Sequence, residues 1–243
     1  MICSSCSSEQ ALGNFCLECG SPFEVSYSRV DHRAKSAEPN VYVENMKKKS
    51  KAYRSYFVQQ LKKPSLAFQH GEKDFSNGLL SIVLFAMLYA IALFLLANTA
   101  SSGFLSFFIQ AALLTLVLIG MVLFSLYMIN NFFGPEYSFK SIVSFYGGQL
   151  SPLVVGVALA LVLIAIKSFT YGNVLLVVSF MFALFVLPLY IMSYLVIKKS
   201  AGLDALYGFV LYIVMFSVLF VILVTLLADS TLGLYFEQMF KLF

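Results

Sequence analysis

The residues best able to do chemistry are gathered at one end of the chain. All four cysteines fall between positions 3 and 19, as Cys3-Ser-Ser-Cys6 and, nine residues later, Cys16-Leu-Glu-Cys19. Each Cys-x-x-Cys turn can offer a pair of thiolates to one tetrahedral ion, and four sulfurs leave no open position for water or substrate. The spacing therefore predicts one structural Zn2+ held by Cys3, Cys6, Cys16 and Cys19, with no catalytic role. His32 and His70 stand too far from the two turns to change that ligand set. A segment this short cannot bury enough apolar surface to fold unaided, so metal binding would supply its folding free energy. Disulfides are the competing use of these thiols, disfavoured if they face a reducing compartment. A redox dithiol is the other, but it normally occurs once and beside a βαβ pattern that this sequence lacks.

The second concentration of chemistry is cationic. Lys47, Lys48, Lys49, Lys51, Arg54, Lys62 and Lys63 occur with no acid between Met46 and Lys63. Tyr53, Phe57, Gln60 and Leu61, with Tyr56 beside them, recur at helical spacing. The pattern predicts an amphipathic helix on the membrane surface, ended by Pro64, its cations meeting anionic headgroups. An RNA-binding or regulatory patch is the functional alternative, and a topogenic positive-inside flank that snorkels to the headgroups is the plainer one. The cysteine-bearing segment carries Glu9, Glu18 and Glu24 and no Lys or Arg before Arg29, so no nucleic-acid partner is expected there.

The elements that must position these groups can be read from composition. The chain has 243 residues, 60% apolar and 12% charged, against about 25% charged in a soluble domain. Eleven of the 16 Lys and Arg precede position 78, and lipid must cover most of the chain beyond it. The fold class expected is an all-α polytopic membrane protein with a small N-terminal zinc-binding module. Five stretches are apolar enough to cross a bilayer, at about 79–97, 104–129, 142–166, 174–197 and 206–228. The domain reading is a metal-binding segment at 1–23, a flexible linker at 24–45, a basic juxtamembrane segment at 46–77, the spans at 78–229 and an extracytoplasmic tail at 230–243. Met1 is followed by cysteines and not by a basic segment and apolar core, so no cleavable signal is expected. The distribution of Lys and Arg around the spans places the N-terminus in the cytosol of a multi-pass cell-membrane protein and the C-terminus outside.

With no tryptophan, Tyr127, Tyr190, Tyr194, Tyr207 and Tyr212 are expected as interfacial anchors. The third span holds Gly147, Gly148, Gly156, Ala158 and Ala160 and is expected at the bundle centre. Pro152 and Pro188 should bend their helices.

Two resemblances add to this reading. Phe15-Cys16-Leu-Glu-Cys19-Gly20 is similar to the second knuckle of the short bacterial zinc-ribbon family, and the likeness covers Cys3 to Phe23. The pre-span segment Lys63 to Phe68, the run Phe139 to Gly147 leading to Pro152, and Gly202-Leu203-Asp204-Ala205-Leu206 entering the last span resemble the Yip-type family, integral membrane proteins named for interaction with Ypt/Rab GTPases. That resemblance implies a five-helix membrane domain, a role in membrane organisation or partner recruitment, and no catalytic residue.

No span interior contains Asp, Glu, Lys, Arg or His, which argues against proton-coupled transport. The sequence has no phosphate-binding loop, zincin helix or nucleophile elbow. The function expected is a non-enzymatic membrane scaffold or adaptor in membrane organisation or envelope homeostasis. Its cytosolic zinc ribbon would dock a protein partner while the bundle and basic segment engage a bilayer with anionic headgroups. The alternative is a permease or lipid-translocating protein.

Overall fold

The computed structural model describes residues 2, 6–9, 15, 17–20, 41–97, 103–198 and 205–228. The expected tail, most of the expected linker, Cys3 and Cys16 lie outside the described residues. The chain divides into two units, Met1–Lys48 and Lys49–Phe243.

The described part of the chain is helical. In order it forms α1 (Val41–Lys62), α2 (Ala67–His70), α3 (Phe75–Ala97), α4 (Phe104–Phe133), α5 (Phe139–Gln149), α6 (Ser151–Ala165), α7 (Phe169–Met181), α8 (Leu187–Lys198) and α9 (Ala205–Ala228). Helix α1 begins inside the stretch expected as linker. It stops at Lys62 because Pro64 drives the residue before it out of the helical region, and Lys63 has φ −143° and ψ 81°. Ser138 caps α5 by accepting a hydrogen bond from the Ser141 amide. The end of α6 is a Schellman turn in which the Lys167 amide donates to the Ile164 carbonyl and the Ser168 amide to that of Leu163. Lys167 takes the left-handed position, φ 65°, that glycine usually fills.

Four helical stretches are long and apolar enough to cross a membrane: Pro64–Ala97, Phe104–Phe133, Phe169–Ile197 and Leu206–Leu227. The chain is a multi-pass membrane protein on this ground. The span expected at 142–166 is not one helix, because α5 and α6 meet at a bend of 44°. Pro152 supplies the reason: it has no N–H to donate to the Gly148 carbonyl, and its ring crowds the turn before it. Neither half reaches alone across a core of about 30 Å.

Helix α5 holds the centre, with every side chain from Ser141 to Gln149 buried. It packs on α3, which also contacts α4 and α6, while α9 lies against α4 and α8. The approach of α3 to α5 depends on two glycines. A Cβ on Gly147 would collide with the Gly78 backbone, and one on Gly78 would stand 3.0 Å from the Ser144 Cα. Aromatic stacking ties other pairs, with Tyr89 on Phe180 at 4.6 Å and Phe68 on Tyr194 at 3.8 Å. Buried Asn130 fastens the turn after α4, donating to the Tyr137 carbonyl at 2.8 Å and accepting from the Tyr137 amide at 3.1 Å.

The bend expected at Pro188 takes the form of a π-helical segment, Phe182–Val186, between α7 and α8. Leu187 donates its amide to the Phe182 carbonyl, five residues back. That choice removes the ordinary donor to the Ala183 carbonyl, and Pro188 cannot serve that of Leu184. Buried tyrosines replace both: Tyr146 on α5 donates to Ala183 O at 3.0 Å, and Tyr212 on α9 donates to Leu184 O at 2.9 Å. Tyr212 is therefore no interfacial anchor; it is 2% exposed, whereas Tyr190 and Tyr207 are exposed at 52% and 58%.

Tyr212→Phe should destabilise the bundle by about 1–3 kcal/mol, the cost of stranding a buried carbonyl. Adding Pro188→Ala restores a backbone donor, and most of that penalty should vanish in the double variant, as unfolding measurements in a double-mutant cycle would show. Full additivity of the two changes would mean that Tyr212 acts through packing alone.

Candidate functional site

Chemistry-bearing groups collect in two places, the cysteine turns of the first unit and, in the second, the contact of α1 with α5. In the first unit an antiparallel bridge pairs Ile2 with Glu9. Cys6 and Cys19 are exposed. Each is followed by a left-handed residue, Ser7 at φ 61° and Gly20 at φ 72°. Left-handed residues after a turn are the units from which anion-holding nests of backbone N–H groups are built, a setting suited to a thiolate. The Cys6 sulfur also lies 3.1 Å from the Ser8 hydroxyl. The residues able to hold a metal are the four cysteines, two of which are described. Among the described residues no three His, Cys, Asp or Glu side chains come together.

Helix α1 carries two faces. Lys47, Lys48, Lys49, Lys51, Arg54 and Lys62 on it are exposed, as is Lys63 just beyond it. Helical periodicity puts Lys47, Lys51, Arg54 and Lys62 on one side, with exposed Val58 and Leu61 among them. The opposite side holds Tyr56 and Gln60, at 6% and 0% exposure. The aromatic face that periodicity assigns to lipid is thus largely covered by protein. Gly148 on α5 lets it approach, since a Cβ there would stand 2.7 Å from the Ala67 Cβ, 3.0 Å from the Tyr56 hydroxyl and 3.4 Å from the Gln60 Cδ. Tyr53 joins α1 to the first span through its hydroxyl, 3.1 Å from Ser81 Oγ.

Burial, aided by the negative charge of Asp74 and by Tyr53, pushes the Tyr56 hydroxyl well above the usual tyrosine range, so it stays protonated. Burial also raises Tyr53, and its hydrogen bond with Ser81 offsets part of that. The acids before the first span serve local geometry. His70 Nδ1 lies 2.7 Å from Asp74 Oδ2, Asn77 donates to the same carboxylate, and Glu72 accepts from the Ser138 hydroxyl that caps α5. Among the described residues neither acid pairs with a lysine.

Sequence reasoning located the cysteines and cations but missed the contact of Gly148 with Tyr56 and Gln60. A glutamine among aromatics on an otherwise apolar face was the available signal, since a lipid-facing helix has no use for a buried amide. The chain matches no family model, no curated protein and no solved structure.

Gly148→Val should lift α1 from α5 by forcing a branched side chain against Ala67 and Tyr56. Hydrogen exchange should then accelerate at residues 53–60 while α4 and α9 keep their protection. Unchanged protection of α1 would show that its docking does not depend on this contact.

Proposed function

We propose that the protein is a non-enzymatic membrane adaptor: an N-terminal zinc ribbon docks a protein partner in the cytosol, and the helical bundle holds that ribbon to the membrane. The observation that carries this reading is the pair of matched turns, Cys6–Ser7 and Cys19–Gly20, each with a left-handed residue after its cysteine. The cysteines belong to the unit Met1–Lys48 and the apolar helices to the unit Lys49–Phe243. Cys3, Cys6, Cys16 and Cys19 would hold one structural Zn2+, and the ion, once bound, supplies the folding energy that so small a segment lacks. The exposed cations of α1 and Lys63 suit an anionic leaflet, which is the cytosolic one under the positive-inside rule. Recruitment to a membrane also fits the Yip-type resemblance. No catalytic step is assigned, because the spans offer hydroxyls without an accompanying base.

A second reading, a permease or lipid-translocating protein, draws on the broken α5–α6 span and the π segment beside Pro188, since discontinuous helices occur at transporter sites. The two readings place the work in different units.

Elemental analysis of the purified full chain should find one zinc per chain, and a Cys6→Ser, Cys19→Ser variant should lose it while still inserting in the membrane. Equal zinc content in the variant would sink the ligand assignment. In cells, crosslinking and co-purification should recover a cytosolic-side partner with the wild type and not with a Cys3→Ser, Cys6→Ser variant of equal abundance. Identical recovery from both, together with ribbon-independent lipid flux in reconstituted vesicles, would replace the adaptor with the transport reading.

A further inference from the structure

The two cysteine turns have the same spacing and different fillings. The first encloses Ser4 and Ser5, the second Leu17 and Glu18. The first turn does without a large apolar residue, so the spacing that would hold a metal does not require one in the second. Yet Leu17 is 91% exposed, further out than any other large apolar side chain among the described residues, lipid-facing ones included. Ile2 and Phe15 are exposed at 64% and 63%. Three of the ten described residues before position 21 are thus large, apolar and in the open. One such residue on a water-facing module is ordinary, whereas a group of them marks a place of contact.

Each of the three adjoins a cysteine: Ile2 precedes Cys3, Phe15 precedes Cys16 and Leu17 follows it. Whatever gathers the cysteines therefore gathers these side chains too. Two of them stand beside a carboxylate. Glu9 is the bridge partner of Ile2, and residues opposite each other across an antiparallel bridge present their side chains on the same side. Glu18 follows Leu17 within the turn, and both acids are exposed. No Lys or Arg precedes Arg29 to answer them. This charge selects among occupants. An anionic leaflet would accept the apolar groups but repel both carboxylates, and the phosphates of a nucleic acid would repel them as well. A protein segment with cations around an apolar stripe answers both features, since opposite charges at the rim fix register and turn away acidic competitors.

We propose that Ile2, Phe15 and Leu17, with Glu9 and Glu18, form the docking face of the ribbon, and that its occupant is a cationic amphipathic segment of another protein. This rests on the ribbon reading above and adds the chemistry of the partner to it.

The test uses the full chain in an uncharged detergent, with zinc content measured in every sample. The probe is a short helical peptide with Leu on one face and Lys on the other, carrying a photoreactive group; its counterpart has Glu in place of Lys. Crosslinks are mapped by mass spectrometry. The Lys peptide should crosslink within residues 1–20 about tenfold more than the Glu peptide. Leu17→Ser should keep its zinc and lower that yield about tenfold. The double variant Glu9→Lys, Glu18→Lys should turn the preference toward the Glu peptide. Ile2→Ser takes the place of Leu17→Ser should the latter lose its metal. Equal crosslinking of both peptides within residues 1–20 of the zinc-loaded wild type, no crosslinking there, or variants that behave as the wild type does would each overturn the proposal. A wild type without zinc sinks the ribbon reading instead. In that chain, crosslinking that still depends on Leu17 and the two acids upholds the face, and its absence overturns both.

Discussion

Lipid cannot hydrogen-bond to a peptide group, and that constraint organises the second unit. Two prolines inside apolar helices each remove a donor the bilayer will not replace, and the protein meets the two losses differently. At Pro188 it recruits side chains, with Tyr212 from α9 reaching the Leu184 carbonyl that the proline strands and Tyr146 from α5 reaching the Ala183 carbonyl that the π segment strands. Those bonds tie two helices, α5 and α9, to the π segment between α7 and α8, so a local chemical loss becomes a reason for α5 and α9 to pack where they do. At Pro152 the helix breaks instead, and its first half is buried on all sides. The polar groups near that break are not paired within the protein. One proline is thus closed by tyrosines drawn from other helices, and the other is met by a bend of 44°.

The central position of α5 also depends on backbone meeting backbone. Gly147 and Gly78 bring α5 against α3 with no side chain between them, and Gly148 does the same service for α1. Without a hydrophobic drive between helices in lipid, such close approach is what dispersion contacts need. It has a directional result. The side of α1 bearing Tyr56 and Gln60 is spent on protein, and the side bearing Lys47, Lys51, Arg54 and Lys62 is left for whatever lies outside.

Much of this was legible in the residues. Apolar run length located the four helical stretches long enough to cross a membrane and the bent α5–α6 pair, and the glycines at 147 and 148 marked the centre, because in a membrane small residues have few other uses. Charge placement found the basic stripe. What periodicity could not resolve was which neutral surface faces lipid and which faces protein, since Tyr and Phe suit both. Tyr212 reads as an anchor by position and serves as a hydrogen-bond donor to a carbonyl 28 residues away, a relation fixed by tertiary packing. Whether Pro152 bends or breaks its helix likewise depends on what buries the freed carbonyl. The Cys-x-x-Cys pairs stood out because few other uses of four cysteines have that spacing; Ser7 and Gly20 add a backbone feature that only Gly20 announced in sequence.

The distribution of chemistry between the units bears on the choice between adaptor and permease. The described span interiors contain hydroxyls that mostly bond back to their own helices, as at Thr115, Ser125, Ser193 and Thr225, and these offer no relay for a charge. Eleven of the 16 Lys and Arg and all four cysteines lie instead before position 78. A protein that moved ions would need them deep in the bundle. Placing the cysteines and most of the cations ahead of the apolar stretches suits recognition at a membrane surface more than passage through one. The bent α5–α6 element serves the anchor: its first half is buried from Ser141 to Gln149 and packs on α3, so the centre of the bundle is set by close backbone approach and not by groups that could pass a charge.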